Sequence, residues 1–273
     1  MSRTSALVPV AEAASFLFVP GDRPERFGKA EASGSGQVII DLEDAVAADM
    51  KDTARDCAAK WFETGRRGVV RINAADTPWH EADVASCIAP SLDAIMAPKA
   101  EHPERLAAIA HRTGKPIIAL IETAAGLNAA NAIAATPGVV RLAFGSIDLS
   151  LDLGLDAPDE ALDGFRLRLT LASRLADLAP PIDGVLADFR NATRLTETTR
   201  RVRGLGFSAK LCIHPAQVTW VEQGFAPSGE ELAWAQRVVG LGESVAALDG
   251  EMIDRPVRER ALRLLARIRT STP

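Results

Sequence analysis

Tyrosine is absent from the 273 residues, so acid–base chemistry is left to carboxylates, lysine, histidine and cysteine. Only three cysteines occur, Cys57, Cys87 and Cys212, scattered and without a Cys-x-x-Cys spacing. That excludes a disulfide framework, and each reads as a small buried apolar residue. His80, His102, His111 and His214 show no paired ligand spacing, which disfavours zinc. No apolar run approaches the roughly 18 residues of a membrane helix, and Met1 to Ala14 lacks a basic start followed by an apolar core. Positive charge is not in excess: 31 Lys and Arg stand against 36 Asp and Glu, a net charge of −5. A nonspecific nucleic-acid binder would want a basic face. The remainder, 47% hydrophobic and 25% charged, is ordinary globular composition that excludes disorder as a description of the whole. The expectation is a soluble, cytoplasmic protein.

Short strand-like runs alternate with helical stretches from one end to the other. The strands are expected at Ser15–Pro20, Gln37–Leu42, Val69–Asn73, Ala94–Pro98, Pro116–Glu122, Val139–Phe144, Ile182–Ala187 and Ser208–His214. Several are near-continuous apolar runs, as strands covered on both faces should be. Between them, Asp159–Ala179 carries an apolar face at helical spacing, and His102–Thr113 starts with Pro103 and stops before Gly114. Strands each followed by a helix, to this number, favour an α/β fold of the TIM (β/α)8 barrel type over an open doubly wound sheet. The barrel is expected over 15–226, after a loose N-terminal segment over 1–14. A C-terminal helical extension over 227–273 contains helices at Glu230–Leu248 and Pro256–Arg269, joined by Asp249–Arg255. It is expected to fold over the barrel mouth or onto a neighbouring subunit.

Active sites of such barrels sit at the carboxyl ends of the strands, and here strand after strand ends in polar residues. Glu122 and Asp148 end adjacent strands, and Glu43 and Asp44 end another. Clustered carboxylates repel unless a cation sits among them. An oxygen-only donor set favours Mg2+, which takes one or two carboxylates, waters and substrate oxygens. Singly, Glu122 could instead cap the helix after Thr123, and Asp148 the turn at Leu149–Leu153. Arg71, within the apolar run Val69-Val70-Arg71-Ile72, suits the carboxylate of an oxyacid, its alternative being a salt bridge to Glu43 or Asp44. Arg23, Arg26 and Lys29 form a basic trio at a helix start, fit for phosphate or simply a solvated face. Lys99 after Pro98 reads as structural or ion-pairing, because neighbouring carboxylates raise a lysine pKa and a Schiff-base nucleophile needs it lowered.

Eight blocks occur in order: LFVPGDRPERFGKA (17–30), DLEDAV (41–46), VRIN (70–73), APK (97–99), IETAAG (121–126), FGSIDL (144–149), KLCIHPAQ (210–217) and GEMIDRP (250–256). With them the sequence resembles the citrate lyase β-subunit-like family, among the Mg2+-dependent HpcH/HpaI aldolases and malyl-CoA lyases. The resemblance spans about residues 15–268. It implies Glu122 and Asp148 as Mg2+ ligands and Arg71 as the carboxylate-binding residue. It implies Glu43 and Asp44 as holders of metal-bound water, and Asp254 as a catalytic acid/base supplied across a trimer interface. Arg23, Arg26 and Lys29 would receive the phosphates of coenzyme A. The run Asp188-Phe189-Arg190-Asn191 departs from the acidic, glycine-containing stretch common in the family, and Ala209 stands where many members carry Gly. The implied activity is cleavage of a β-hydroxyacyl-CoA of the malyl- or citramalyl-CoA type to a 2-oxoacid and a shorter acyl-CoA. Its rivals are a CoA-independent 2-oxoacid aldolase, a malyl-CoA thioesterase or malate-synthase-like enzyme, and a citrate lyase β subunit needing an acyl-carrier partner.

Overall fold

The computed structural model describes residues 8–242 and 246–270. Its strands β1 (Ser15–Pro20), β2 (Gln37–Asp41), β3 (Gly68–Arg71), β4 (Leu92–Ala97), β5 (Ile117–Ile121), β6 (Val139–Phe144), β7 (Ile182–Asp183) and β8 (Ala209–Cys212) pair in parallel in chain order. β8 pairs back onto β1 and closes the barrel. Around it run α1 (Pro24–Glu31), α2 (Lys51–Glu63), α3 (His80–Ser86), α4 (Pro103–Thr113), α5 (Ala124–Ala134), α6 (Ser146–Asp152), α7 (Asp163–Leu175), α8 (Ala192–Gly204) and α9 (Ala216–Phe225).

Strand alternation sorts the apolar residues into two cores. Phe16, Ile39, Val69, Met96, Ile118, Leu120, Ala143 and Leu211 fill the lumen. Leu17, Ile40, Val70, Ile95, Ile121 and Phe144 face the helices. By the same alternation Asp41, Arg71 and Glu122 fall on the lumen side at the strands' carboxyl ends.

Several boundaries differ from the sequence expectation. β7 is two residues long instead of running to Ala187. Gly184 ends it where the backbone passes so close to Ser146 that a Cβ would lie 2.4 Å from its Oγ. α7 stops at Leu175 and does not reach Ala179; Asp177 adopts a left-handed φ of 53° and Pro180-Pro181 follow. Residues 8–14 are not loose. Arg141, wholly buried, donates to the Val10 and Ala13 carbonyls and so ties this segment across the lower end of the barrel. Residues 1–7 lie outside the described residues.

The C-terminal extension is helix–hairpin–helix. α10 (Gly229–Gly240) ends at Gly240-Leu241-Gly242, with Gly242 at φ 77°, and the expected helix does not continue to Leu248. Instead β9 (Ala246–Leu248) and β10 (Glu251–Ile253) form an antiparallel hairpin across Asp249-Gly250. Both turn residues have positive φ, 53° and 85°, as a two-residue type I′ turn requires. α11 (Arg255–Thr270) packs on α10 through a small core of its own around Ala235, Val238, Ile253, Ala261 and Leu264. Arg203 of α8 ties α10 to the barrel by pairing with Glu231 and donating to the Ala226 carbonyl. Among the described residues no helix is long and apolar enough to cross a membrane.

Candidate active site

β2 and β3 bring the first pair together. Their register sets Asp41 directly beside Arg71. Arg71 donates through Nε and Nη2 to the two oxygens of Asp41, both at 2.7 Å. Its Nη1 lies 3.0 Å from Glu43 and 3.3 Å from Asp44, so both salt bridges weighed from the sequence form. The stronger partner, Asp41, was not anticipated. The guanidinium also stacks over the Phe18 ring at 4.7 Å. Burial works against the Arg71 charge, but Asp41, Glu43 and Asp44 more than offset it and its pKa is raised.

The loop after β2 is held from both sides. Asp41 accepts the Glu43 and Ala45 amides, while the buried Lys51 ammonium donates to the Leu42 and Glu43 carbonyls. Glu43 is buried, with Oε2 facing the Arg71 guanidinium. Burial pushes its carboxyl up to about 8, Arg71 acting against the rise and Glu122, Asp44 and Asp41 adding to it.

Glu122 follows β5. Its Oε1 accepts the backbone N–H of Lys99 at 2.8 Å, and Lys99 takes a left-handed φ of 45° there. That conformation is uncommon for a side-chain-bearing residue and marks a constrained site. Lys99 thus serves the site through its backbone, while its side chain is exposed. Gly145 leaves room for the Glu122 side chain: a Cβ there would lie 2.4 Å from the Glu122 Cβ and 2.7 Å from Oε2. Burial pushes the Glu122 carboxyl up to about 7, opposed by the Lys99 amide and supported by the nearby Asp148 charge. Glu122 does not cap α5; Thr123 does, accepting the Gly126 amide. Asp148 lies exposed in the first turn of α6.

The structure therefore brings Asp41, Glu43, Asp44, Arg71, Glu122 and Asp148 to one mouth of the barrel. The excess of carboxylate there, an oxygen-only donor set and two carboxyls pushed toward neutrality fit a hard divalent cation. Among the described residues no three His, Cys, Asp or Glu side chains cage a metal on their own.

Other expected residues lie apart. Arg23 immediately precedes α1 and Arg26 lies on it; both are exposed, 3.8 Å from Asp22 and 3.9 Å from Glu25 respectively. Lys29 is in the last turn of α1 and exposed. Asp254 accepts the Val257 amide at the start of α11; no interaction seen among the described residues joins it to Arg71, Glu122 or Asp148 of the same chain.

The sequence profile of the HpcH/HpaI aldolase/citrate lyase family matches residues 14–215. The chain belongs to that family. It is accordingly an enzyme of the lyase kind. A citrate lyase subunit beta-like protein of Mycobacterium tuberculosis is 37% identical over 268 residues, covering 94% of this chain and 96% of the relative. A (3S)-malyl-CoA thioesterase of Cereibacter sphaeroides is 34% identical over 253 residues, covering 88% and 89%. The crystal structure of CitE from M. tuberculosis, in complex with magnesium, acetoacetate and coenzyme A, superposes with a TM-score of 0.85 at 34% identity, covering 94% of this chain and 99% of that one. Family membership accounts for the barrel and for the ordered blocks. Sequence reasoning gives Asp41 a place in a polar strand end but no role, and gives Lys51 neither. The available signal was Asp41 ending the apolar run of β2 (QVIID) beside the Arg-ended β3 (GVVR).

Proposed function

We propose that the protein is a Mg2+-dependent carbon–carbon lyase that cleaves a β-hydroxyacyl-CoA of the malyl- or citramalyl-CoA type to a 2-oxoacid and a shorter acyl-CoA. What carries this reading is the convergence of Glu122, Asp148, Glu43 and Asp44 around Arg71 at the barrel mouth. A relative crystallised with magnesium, acetoacetate and coenzyme A supports it. Glu122 and Asp148 would hold the ion, with Glu43 and Asp44 accepting hydrogen bonds from its water. When bound, Mg2+ supplies Lewis acidity toward the substrate's carboxylate and hydroxyl oxygens.

The chain's own residues do the rest. Arg71, locked on one edge by Asp41, offers Nη1 to the substrate carboxylate and fixes its plane. Loss of the β-hydroxyl proton lets the carbon–carbon bond break: the oxygen's electrons form the new carbonyl, and the bond's electrons pass to the thioester enolate. The hydroxyl proton leaves to solvent, and Asp254 gives one proton to the enolate carbon and regains it from solvent, so the protons balance. Among the described residues Asp254 bonds only to the start of α11, and in this reading a second copy in a homotrimer would deliver it to the mouth. Arg23, Arg26 and Lys29, exposed along α1, would take the phosphates of the CoA.

The experiment incubates the pure protein with malyl-CoA and citramalyl-CoA, with Mg2+ or with EDTA, and follows products by mass spectrometry. EDTA-sensitive release of a 2-oxoacid with a shorter acyl-CoA is expected. Free CoA with an intact hydroxyacid would instead make it a thioesterase, the second reading, favoured by the Cereibacter relative. No turnover by a Mg2+-binding protein would move the assignment to a CoA-independent aldolase or an acyl-carrier-dependent subunit.

A further inference from the structure

Lys51 is the first residue of α2, yet its side chain turns back along the chain and is buried. An ammonium has three hydrogens, and each finds an oxygen: the Leu42 carbonyl at 2.8 Å, the Glu43 carbonyl at 2.7 Å and Asn73 Oδ1 at 2.7 Å. Among the described residues no carboxylate pairs with it. A buried charge without an opposite charge in contact is costly, and burial lowers the Lys51 pKa accordingly. Packing does not require it, since Ala54, Ala58 and Phe62 already bury the inner face of α2.

The third acceptor is itself fixed. Asp83 accepts both the backbone N–H and the side-chain Nδ2 of Asn73, at 2.9 and 2.6 Å, and Arg55 donates to the other Asp83 oxygen at 2.7 Å. A chain from the half-buried Arg55 through the buried Asp83, Asn73 and Lys51 therefore ends on the two carbonyls that precede the Glu43 and Asp44 side chains. We propose that Lys51 is a positioning residue for the active site: its ammonium clamps the Leu42–Glu43 backbone and so aims the Glu43 and Asp44 carboxylates at Arg71 and the barrel mouth. The consequence for metal binding rests on the functional reading above, whereas the clamp itself does not. Arginine cannot substitute, because a planar fork does not reproduce three divergent donors.

The test compares the full-length wild type with Lys51→Met, which keeps the apolar stem and removes the donors, and with the milder Asn73→Ser. Amide hydrogen exchange is read without metal at Glu43, Ala45 and Val46, whose N–H groups bond within this loop. Exchange at these amides is expected to rise about tenfold or more in Lys51→Met while the strand amides of β1 and β6 stay as in wild type, a local loosening that a global stability role does not produce. Calorimetric Mg2+ affinity is expected to weaken about 10–100-fold, as for loss of an outer support of a metal site. Asn73→Ser is expected to move both readings in the same direction by less, and decides the matter if Lys51→Met does not fold. Loop amides that exchange at the wild-type rate overturn the proposal, as does a loosened loop with unchanged Mg2+ affinity. A wild type that gives no Mg2+ heat defeats the functional reading, and the exchange rates alone then decide the clamp.

Discussion

Arg71 and Asp41 meet edge to edge, two parallel 2.7 Å hydrogen bonds joining neighbouring strands at the point where the barrel lumen opens. The pair spends the Nε edge of the guanidinium and leaves Nη1 toward Glu43, Asp44 and the mouth. Asp41→Asn keeps the shape but removes the charge from a buried pair. Such a break costs about 3–5 kcal/mol, so a clear fall in melting temperature is expected together with a higher KM. Arg71→Lys retains a cation without the fork, and kcat/KM is expected to drop about 10–100-fold. Thermal melts and steady-state kinetics on both variants check this; a wild-type KM in either removes the carboxylate-binding role.

Much of this was legible in the chain and part was not, for reasons that differ by residue. β1 and β6 were placed to the residue because apolar runs bounded by turn formers have few other readings. The end of α10 was missed because the helical pattern was carried through Gly240 and Gly242, although both break helices. The positions of Glu43, Glu122 and Arg71 at one rim followed from strand ends. Asp41 also ends a strand, but its pairing with Arg71 depends on cross-strand register, and the role of Lys51 lies in a side chain reaching back along the chain, which a linear pattern does not encode. Lys99 acts through its amide, so its side-chain chemistry was the wrong property to weigh.

Gly145 is required for its lack of a side chain, not for an unusual backbone angle. A methyl group there would overlap Glu122 at both Cβ and Oε2. Gly145→Ala is expected to displace the carboxylate and weaken Mg2+ binding about tenfold or more, judged by what loss of an outer support does to metal sites. Calorimetry with Mg2+ measures it. Gly28→Ala, with open space around its Cβ position, is the control and should bind as wild type.

The raised carboxyls make the metal-free protein sensitive to alkali. Glu122, pushed up to about 7, and Glu43, pushed up to about 8, lie above the ordinary value of about 4.3. Between those values the folded state holds more protons than the unfolded one, so stability falls as pH rises through this window and levels off above about 8. In EDTA the melting temperature is expected to be lower near pH 8.5 than near pH 6, the two conditions bracketing the titrations. Added Mg2+, which binds the ionised carboxylates, should raise the melting temperature more at the higher pH. A melting temperature in EDTA that rises across the window contradicts the assignment.

Asp254 tests whether the site belongs to one chain or two. In its own chain it accepts the Val257 amide at the start of α11, a task Asn performs equally well. Asp254→Asn should therefore keep the fold and Mg2+ binding while lowering kcat about 100- to 10,000-fold, the span of general acid–base catalysis. Glu122→Gln should be inactive for the separate reason that a metal-binding carboxylate is gone. If the proton donor comes from a neighbouring copy, co-expressed Asp254→Asn and Glu122→Gln chains will recombine into sites that have an intact Glu122 from one chain and an intact Asp254 from the other. Random assembly in equal amounts then restores about a quarter of wild-type activity, because each site draws its two parts independently from two subunits of a symmetric ring. Were Asp254 to act within its own chain, every site in the mixture would lack one part and the activity would stay at the level of the single variants.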